Sequence, residues 1–259
     1  MLETWGGFGS LMRKEGSITM ELKPIRTGDP AISRGVTYDA AEIAAAEQGQ
    51  KVLRNTYLLL ALTMVPTVIG AFIGMATAGV IIAHPIISTF VMLGAVIGLQ
   101  FGIAANRNSA LGILLLLLMT GLLGWWLGPI LNFALEMRNG MALVGYAALG
   151  TGAIFLAMGV VATTTKRDFG FMGKFLFVGM IALLIAMLAN MWLQIPALAL
   201  TISTLVIVVF SLFLLYDLSR IVRGGETNYV IATTGVYMSL FNIFANLLNI
   251  LLMLGGERD

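Results

Sequence analysis

Cysteine is absent and histidine occurs once. Without thiols the chain forms neither disulfides nor thiolate metal sites. His84, beside Pro85, has no second imidazole and no HExxH setting, which excludes that type of zinc hydrolase. Charge is also scarce: 11% of the 259 residues are Asp, Glu, Lys or Arg and 59% are hydrophobic, where soluble chains carry roughly 25% charged residues. There is no Walker-type glycine loop, no G-x-S-x-G elbow and no pair of acids at membrane depth, so neither P-loop nor serine-hydrolase chemistry is provided for. Gly224-Gly225-Glu226 reads as a turn with a carboxylate. The chain is expected not to be an enzyme, to carry no cofactor or resident metal, and to bind no nucleic acid.

What is present is long apolar sequence. No Asp, Glu, Lys or Arg falls in 55–106, 108–135, 139–165, 175–216 or 227–256. A bilayer crossing takes about 20 apolar residues, so three of these tracts hold one helix each and two hold a hairpin. His84-Pro85 breaks the first tract and Gln194-Ile195-Pro196 the fourth. The sum is an all-α membrane protein with seven transmembrane helices. Lys51, Arg54, Arg107, Lys166, Arg167, Lys174, Arg220 and Arg223 fall on one side of this alternating topology, and Arg138 and Arg258 on the other. Positive loops stay inside, which predicts a cytoplasmic N-terminus and an outside C-terminus.

Residues 1–50 form a flexible cytoplasmic tail in this reading, with mixed charge, Pro24 and Pro30 arguing against a packed core. Residues 1–19 read as lying upstream of a true start at Met20, because Lys14-Glu15-Gly16 can be encoded by a purine-rich, ribosome-binding-like tract. Asp39 is placed to cap a short helix leading toward the membrane. The seven spans are predicted at about 56–79, 86–105, 110–131, 141–163, 173–193, 197–217 and 235–254. Gly70 and Gly74 in the first, and Gly94, Gly98 and Gly102 in the second, recur every fourth residue. Such faces let helix backbones approach closely in lipid, or line a conduit. Trp125-Trp126 suits the interfacial belt, and Gly128-Pro129 marks a bend or stop.

The last span carries the most information. Ser239, Asn242, Asn246 and Asn249 punctuate its Leu, Ile, Phe and Met residues at steps of three, four and three, which puts all four on one stripe of a helix. An amide turned to lipid costs several kcal/mol unless paired, so the stripe should face protein or water: interhelical hydrogen bonding, or a solvated lining. Asn190, in the fifth span, suits either use as a partner. Asp217, at the end of the sixth span, borders a charge-free tract. Ionisable groups near hydrocarbon often mark ion or proton paths; the alternative is an interfacial carboxylate paired with Arg220 one turn on.

Several blocks together carry a resemblance: Lys51-Val-Leu-Arg-Asn-Thr-Tyr57, Leu127-Gly-Pro-Ile-Leu-Asn132, Thr163-Thr-Thr-Lys-Arg-Asp168, Ala189-Asn-Met-Trp-Leu-Gln-Ile-Pro-Ala197, Gly224-Gly-Glu-Thr-Asn-Tyr229 and Tyr237-Met-Ser-Leu-Phe-Asn-Ile-Phe244. In order and through all seven segments, 51–259 resembles the Bax inhibitor family, also called the transmembrane Bax-inhibitor-motif family. The resemblance implies six helices around a central seventh, in agreement with the polar stripe. Some members are similar to pH-sensitive calcium leak channels, gated by two acids on the sixth and seventh helices and by a basic latch. Asp217 matches the first acid, whereas Ser239 stands where the second is expected, so a shared proton lacks one of its two sites. Arg107 matches the latch by its place at the end of the second span. Calcium would then be the transported ion, Asp217 its gate, and Asn190, Asn242, Asn246 and Asn249 its route. For a bacterial branch the resemblance implies a different role in the inner membrane: binding the AAA protease FtsH and restraining its degradation of membrane proteins. That role is the leading expectation, and a tail such as 20–50 suits engagement by the protease.

Overall fold

The apolar tracts fold as helices throughout. The structure, a computed structural model, describes residues 30–165 and 169–255, with side chains from residue 47 onward. The chain divides into two units, Met1–Glu42 and Ile43–Asp259. No strand occurs among the described residues. In order the elements are α1 (Pro30–Ala76), α2 (Ala78–Ala83), α3 (Pro85–Ala105), α4 (Ala110–Trp126), α5 (Gly128–Leu135), α6 (Gly140–Thr164), α7 (Met172–Leu193), α8 (Pro196–Val222) and α9 (Tyr229–Gly255). Seven segments are long and apolar enough to cross a membrane: Glu47–Ala76, then α3, Ala110–Leu135, α6, α7, α8 and α9.

The expected tail over 1–50 lies outside the described residues as far as residue 29, and so does the start expected at Met20. From Pro30 the backbone is helical, so Asp39 sits inside a helix rather than at its beginning. Lys166, Arg167, Asp168 and Arg258 also lie outside the described residues. Gly128-Pro129 proves to be a bend, with Leu127 joining α4 to α5 within one span. The outer surface is what lipid requires: Phe72, Phe101, Leu149 and Phe175 are 65%, 73%, 71% and 79% exposed, an apolar coat that water would not tolerate.

The two glycine repeats meet different surroundings. A Cβ on Gly70 would overlap the backbone of Gly121, and one on Gly124 the backbone of Thr67; Gly74 and Gly128 abut each other. The first and third spans thus touch backbone to backbone, the use small residues serve in a bilayer. Gly94 and Gly98 have no neighbour within 4 Å of a Cβ position, and Gly102 meets only the tip of Leu115. The second repeat is not a packing face.

The seventh span is the most widely shared. α9 packs on α8, α6, α4 and α3, and its Thr233 and Tyr237 reach α1, the Tyr237 hydroxyl lying 2.7 Å from Thr67 Oγ1. Tyr237 is buried, as are Thr56, Thr63, Thr120 and Thr233. Trp125 and Trp126 are half-buried, and the Trp125 indole N–H donates to Thr77 Oγ1 at 2.8 Å.

Polar residues tie the helix ends and show which loops share an end. Asn228 donates to the Arg107 carbonyl and to Asn108 Oδ1, while its own Oδ1 accepts from the N–H groups of Val230 and Ile231, capping α9. Arg223 donates to the Thr165 carbonyl. The loops after α3, α6 and α8 therefore meet at one end, called the basic end below. At the opposite end Asn132 donates to the Met75 carbonyl and Asn139 to that of Gly255.

Candidate functional site

α8 does not stop at Asp217. It continues to Val222, so the acid lies inside a helix, more than a turn before its end, rather than closing it. The continuation is held by its own groups. The Arg220 guanidinium lies 5.4 Å from the centre of the Tyr216 ring and forms a 3.0 Å ion pair with Glu226, whose other oxygen accepts from the Asn228 N–H. This is the ion pair found among the described residues. Arg220 thus forms its ion pair with Glu226 rather than with Asp217, and Gly224-Gly225-Glu226 is a turn whose carboxylate locks it, with Gly224 at φ 72.

Asp217 turns instead toward α9. A Cβ on Gly235 would lie 2.6 Å from Asp217 Oδ2, so the missing side chain is what leaves room for the carboxylate. Asp217, Gly235 and Ser239 border a cavity of about 230 Å³ together with Gln100, Thr234 and Met180. Asp217 and Ser239, the two positions at which the resemblance implies acids, therefore share one chamber near the basic end. Arg107 reaches that end, but its side chain is exposed and its carbonyl is the group engaged, by Asn228. The structure does not bring Arg107 and Asp217 together as an ion pair.

The polar stripe is divided among neighbours. Asn242 lies on a separate apolar cleft between α3, α4 and α9. Asn246 and Asn249 border a third cavity, of about 210 Å³, with Asn190 of α7 and Ser203 of α8. Asn249 donates to Ser203 Oγ at 3.0 Å, the stripe's one interhelical bond among the described residues, while Asn242 and Asn246 donate back to the carbonyls of Met238 and Asn242. Asn190 accepts from the Ile195 N–H and so closes the turn between α7 and α8. It shares the cavity with Asn246 and Asn249 without an observed bond to either. Along α8 and α9, Val206 and Ile243, both buried, fall between the residues that line the Asp217 chamber and those that line the asparagine cavity.

The sequence reading missed Gly235, Gln100 and Ser203. Gln100 was open to detection as the one amide within α3. Gly235 carried no such sign, because its role depends on which residue of α8 faces it.

The family described as "Inhibitor of apoptosis-promoting Bax1" matches residues 49–256. A protein of Escherichia coli strain K12 named modulator of FtsH protease YccA is 41% identical over 201 residues, covering 78% of this chain and 89% of that protein. An uncharacterized membrane protein of Vibrio cholerae is 42% identical over 201 residues, covering 78% and 88%. A protein of Neisseria meningitidis serogroup A is 39% identical over 210 residues, covering 80% and 92%. Seven apolar helices, and the name inner membrane protein YccA carried by a second Escherichia coli relative, fit a multi-pass inner-membrane protein. The matched stretch reaches into all seven spans, and the chain belongs to the Bax inhibitor family.

Proposed function

We propose that this protein is an inner-membrane modulator of the FtsH protease, acting in membrane-protein quality control. The observation that carries the reading is the 41% identity to YccA along 89% of that protein's length. With the orientation that the basic loops favour, residues 20–50 lie on the cytoplasmic side as a segment the protease can engage. Affinity purification of the chain from bacterial membranes is expected to bring FtsH with it, and overproduction to lengthen the half-life of an FtsH membrane substrate. Unchanged substrate turnover together with no FtsH in the eluate would rule the reading out.

A second reading is a cation leak, calcium being the ion. It is supported by the chamber where Asp217 sits on Gly235 beside Ser239, with the Asn190, Asn246 and Asn249 cavity toward the other end and Ile243 and Val206 as the closed stretch between. Asp217 is then the gate, and Arg107 a latch only in a state where it leaves the surface. Liposomes holding purified protein are expected to take up calcium, and Asp217→Asn to change the rate, because an ionisable group on such a path governs passage. Uptake equal to protein-free liposomes, in folded protein, would end this reading and leave the first intact.

A further inference from the structure

The cleft that holds Asn242 is unlike the other two cavities. Its volume is about 180 Å³. From α3 it is lined by Met92, Leu93 and Val96, and from α4 by Leu123 and Trp126. Met238 and Phe241 of α9 close its inner side. Three polar side chains reach it: Thr89 donates to the Pro85 carbonyl and the Asn242 amide N–H to that of Met238, both at 2.8 Å, and the Trp126 indole is the third. The rest of the lining is hydrocarbon.

An apolar cavity does not fill with water. One of about 150 Å³ lined by hydrocarbon stays dry and takes an apolar guest. The position supplies the guest. Thr89 is one turn from the start of α3, and Val96 is near the middle of that 21-residue span; Trp126 ends α4 at the same level. The cleft thus runs inward from the end of α3 opposite the basic end, between α3, α4 and α9, where the neighbouring α3 residues Phe90, Val91 and Ile97 are exposed to the bilayer. We propose that an acyl chain of a membrane phospholipid occupies this cleft and packs directly on α9.

The test uses the full chain, purified and reconstituted without partners into phosphatidylcholine vesicles with plain or mid-chain-brominated acyl chains. Bromine quenches a tryptophan it touches, and the Trp126 contribution is the difference between the chain and its Trp126→Phe form. Trp126 is expected to lose most of its emission in brominated vesicles. Leu93→Phe, which fills the cleft, is expected to restore most of it; Val96→Ala, which widens the cleft, is expected to deepen the loss. Melting curves establish that the variants are folded, and either variant alone decides the question. Equal Trp126 emission in the two lipids would show a cleft closed to acyl chains. Quenching that neither variant changes would mean ordinary bilayer contact, and either result overturns the proposal.

Discussion

Gly124→Leu is expected to separate the first and third spans and to cost more than about 4 kcal/mol, beyond the range of ordinary overpacking. The reason is what the new side chain meets. A Cβ at Gly124 overlaps the carbonyl of Thr67, and backbone cannot rotate aside as a side-chain tip does. Separating α1 from α4 would also pull Thr77 from the Trp125 indole. The same substitution at Gly94 has no neighbour to displace within 4 Å and is expected to leave stability unchanged or raised by up to about 1 kcal/mol, since it removes a glycine from a helix interior. Thermal melts of the two variants in detergent make the comparison. Equal melting temperatures would show that the α1–α4 contact contributes nothing.

Tyr237→Ala is the second large effect. Tyr237 is 2% exposed, and truncating a buried aromatic costs about 3–5 kcal/mol. Tyr237→Phe keeps the ring and removes only the hydroxyl shared with Thr67 at 2.7 Å, so its cost is expected near 1 kcal/mol. Thr67→Val removes the other half of the same bond. The pair is therefore expected to cost less together than the sum of the singles, because neighbours in one network do not add. Strict additivity in a denaturant-based cycle would mean that the two hydroxyls do not interact.

The seven crossings were legible because carbon and charge separate so cleanly along this chain. Hydropathy locates the membrane, however, and not the end of a helix. α8 passes through Asp217 to Val222 because Arg220 finds Tyr216 and Glu226 on its own side of the bundle, and no apolar count contains that pairing. Periodicity identified the stripe of Ser239, Asn242, Asn246 and Asn249 as one helix face, yet three sets of neighbours cover it. Ser239 faces the Asp217 chamber, Asn242 the cleft against α3 and α4, and Asn246 with Asn249 the cavity against α7 and α8. The glycine repeats teach the same thing. Gly70 and Gly94 have the same four-residue spacing to a second glycine, but only Gly70 has a backbone pressed against it. Spacing describes one helix, and the partner's shape decides the contact.

The turn between α7 and α8 has a bearing on assembly. Only Gln194, at φ 50, and Ile195 separate the two helices, with Asn190 closing the turn. From Leu193 to Pro196 there are three Cα steps, about 11 Å at full stretch, little more than the 8–10 Å between packed helix axes. At that end the two helices can only lie side by side. α7, whose packing is on α8, has no freedom to search the bilayer for a neighbour. The chain delivers the helix with its partner already beside it, and the two cross as a single hairpin.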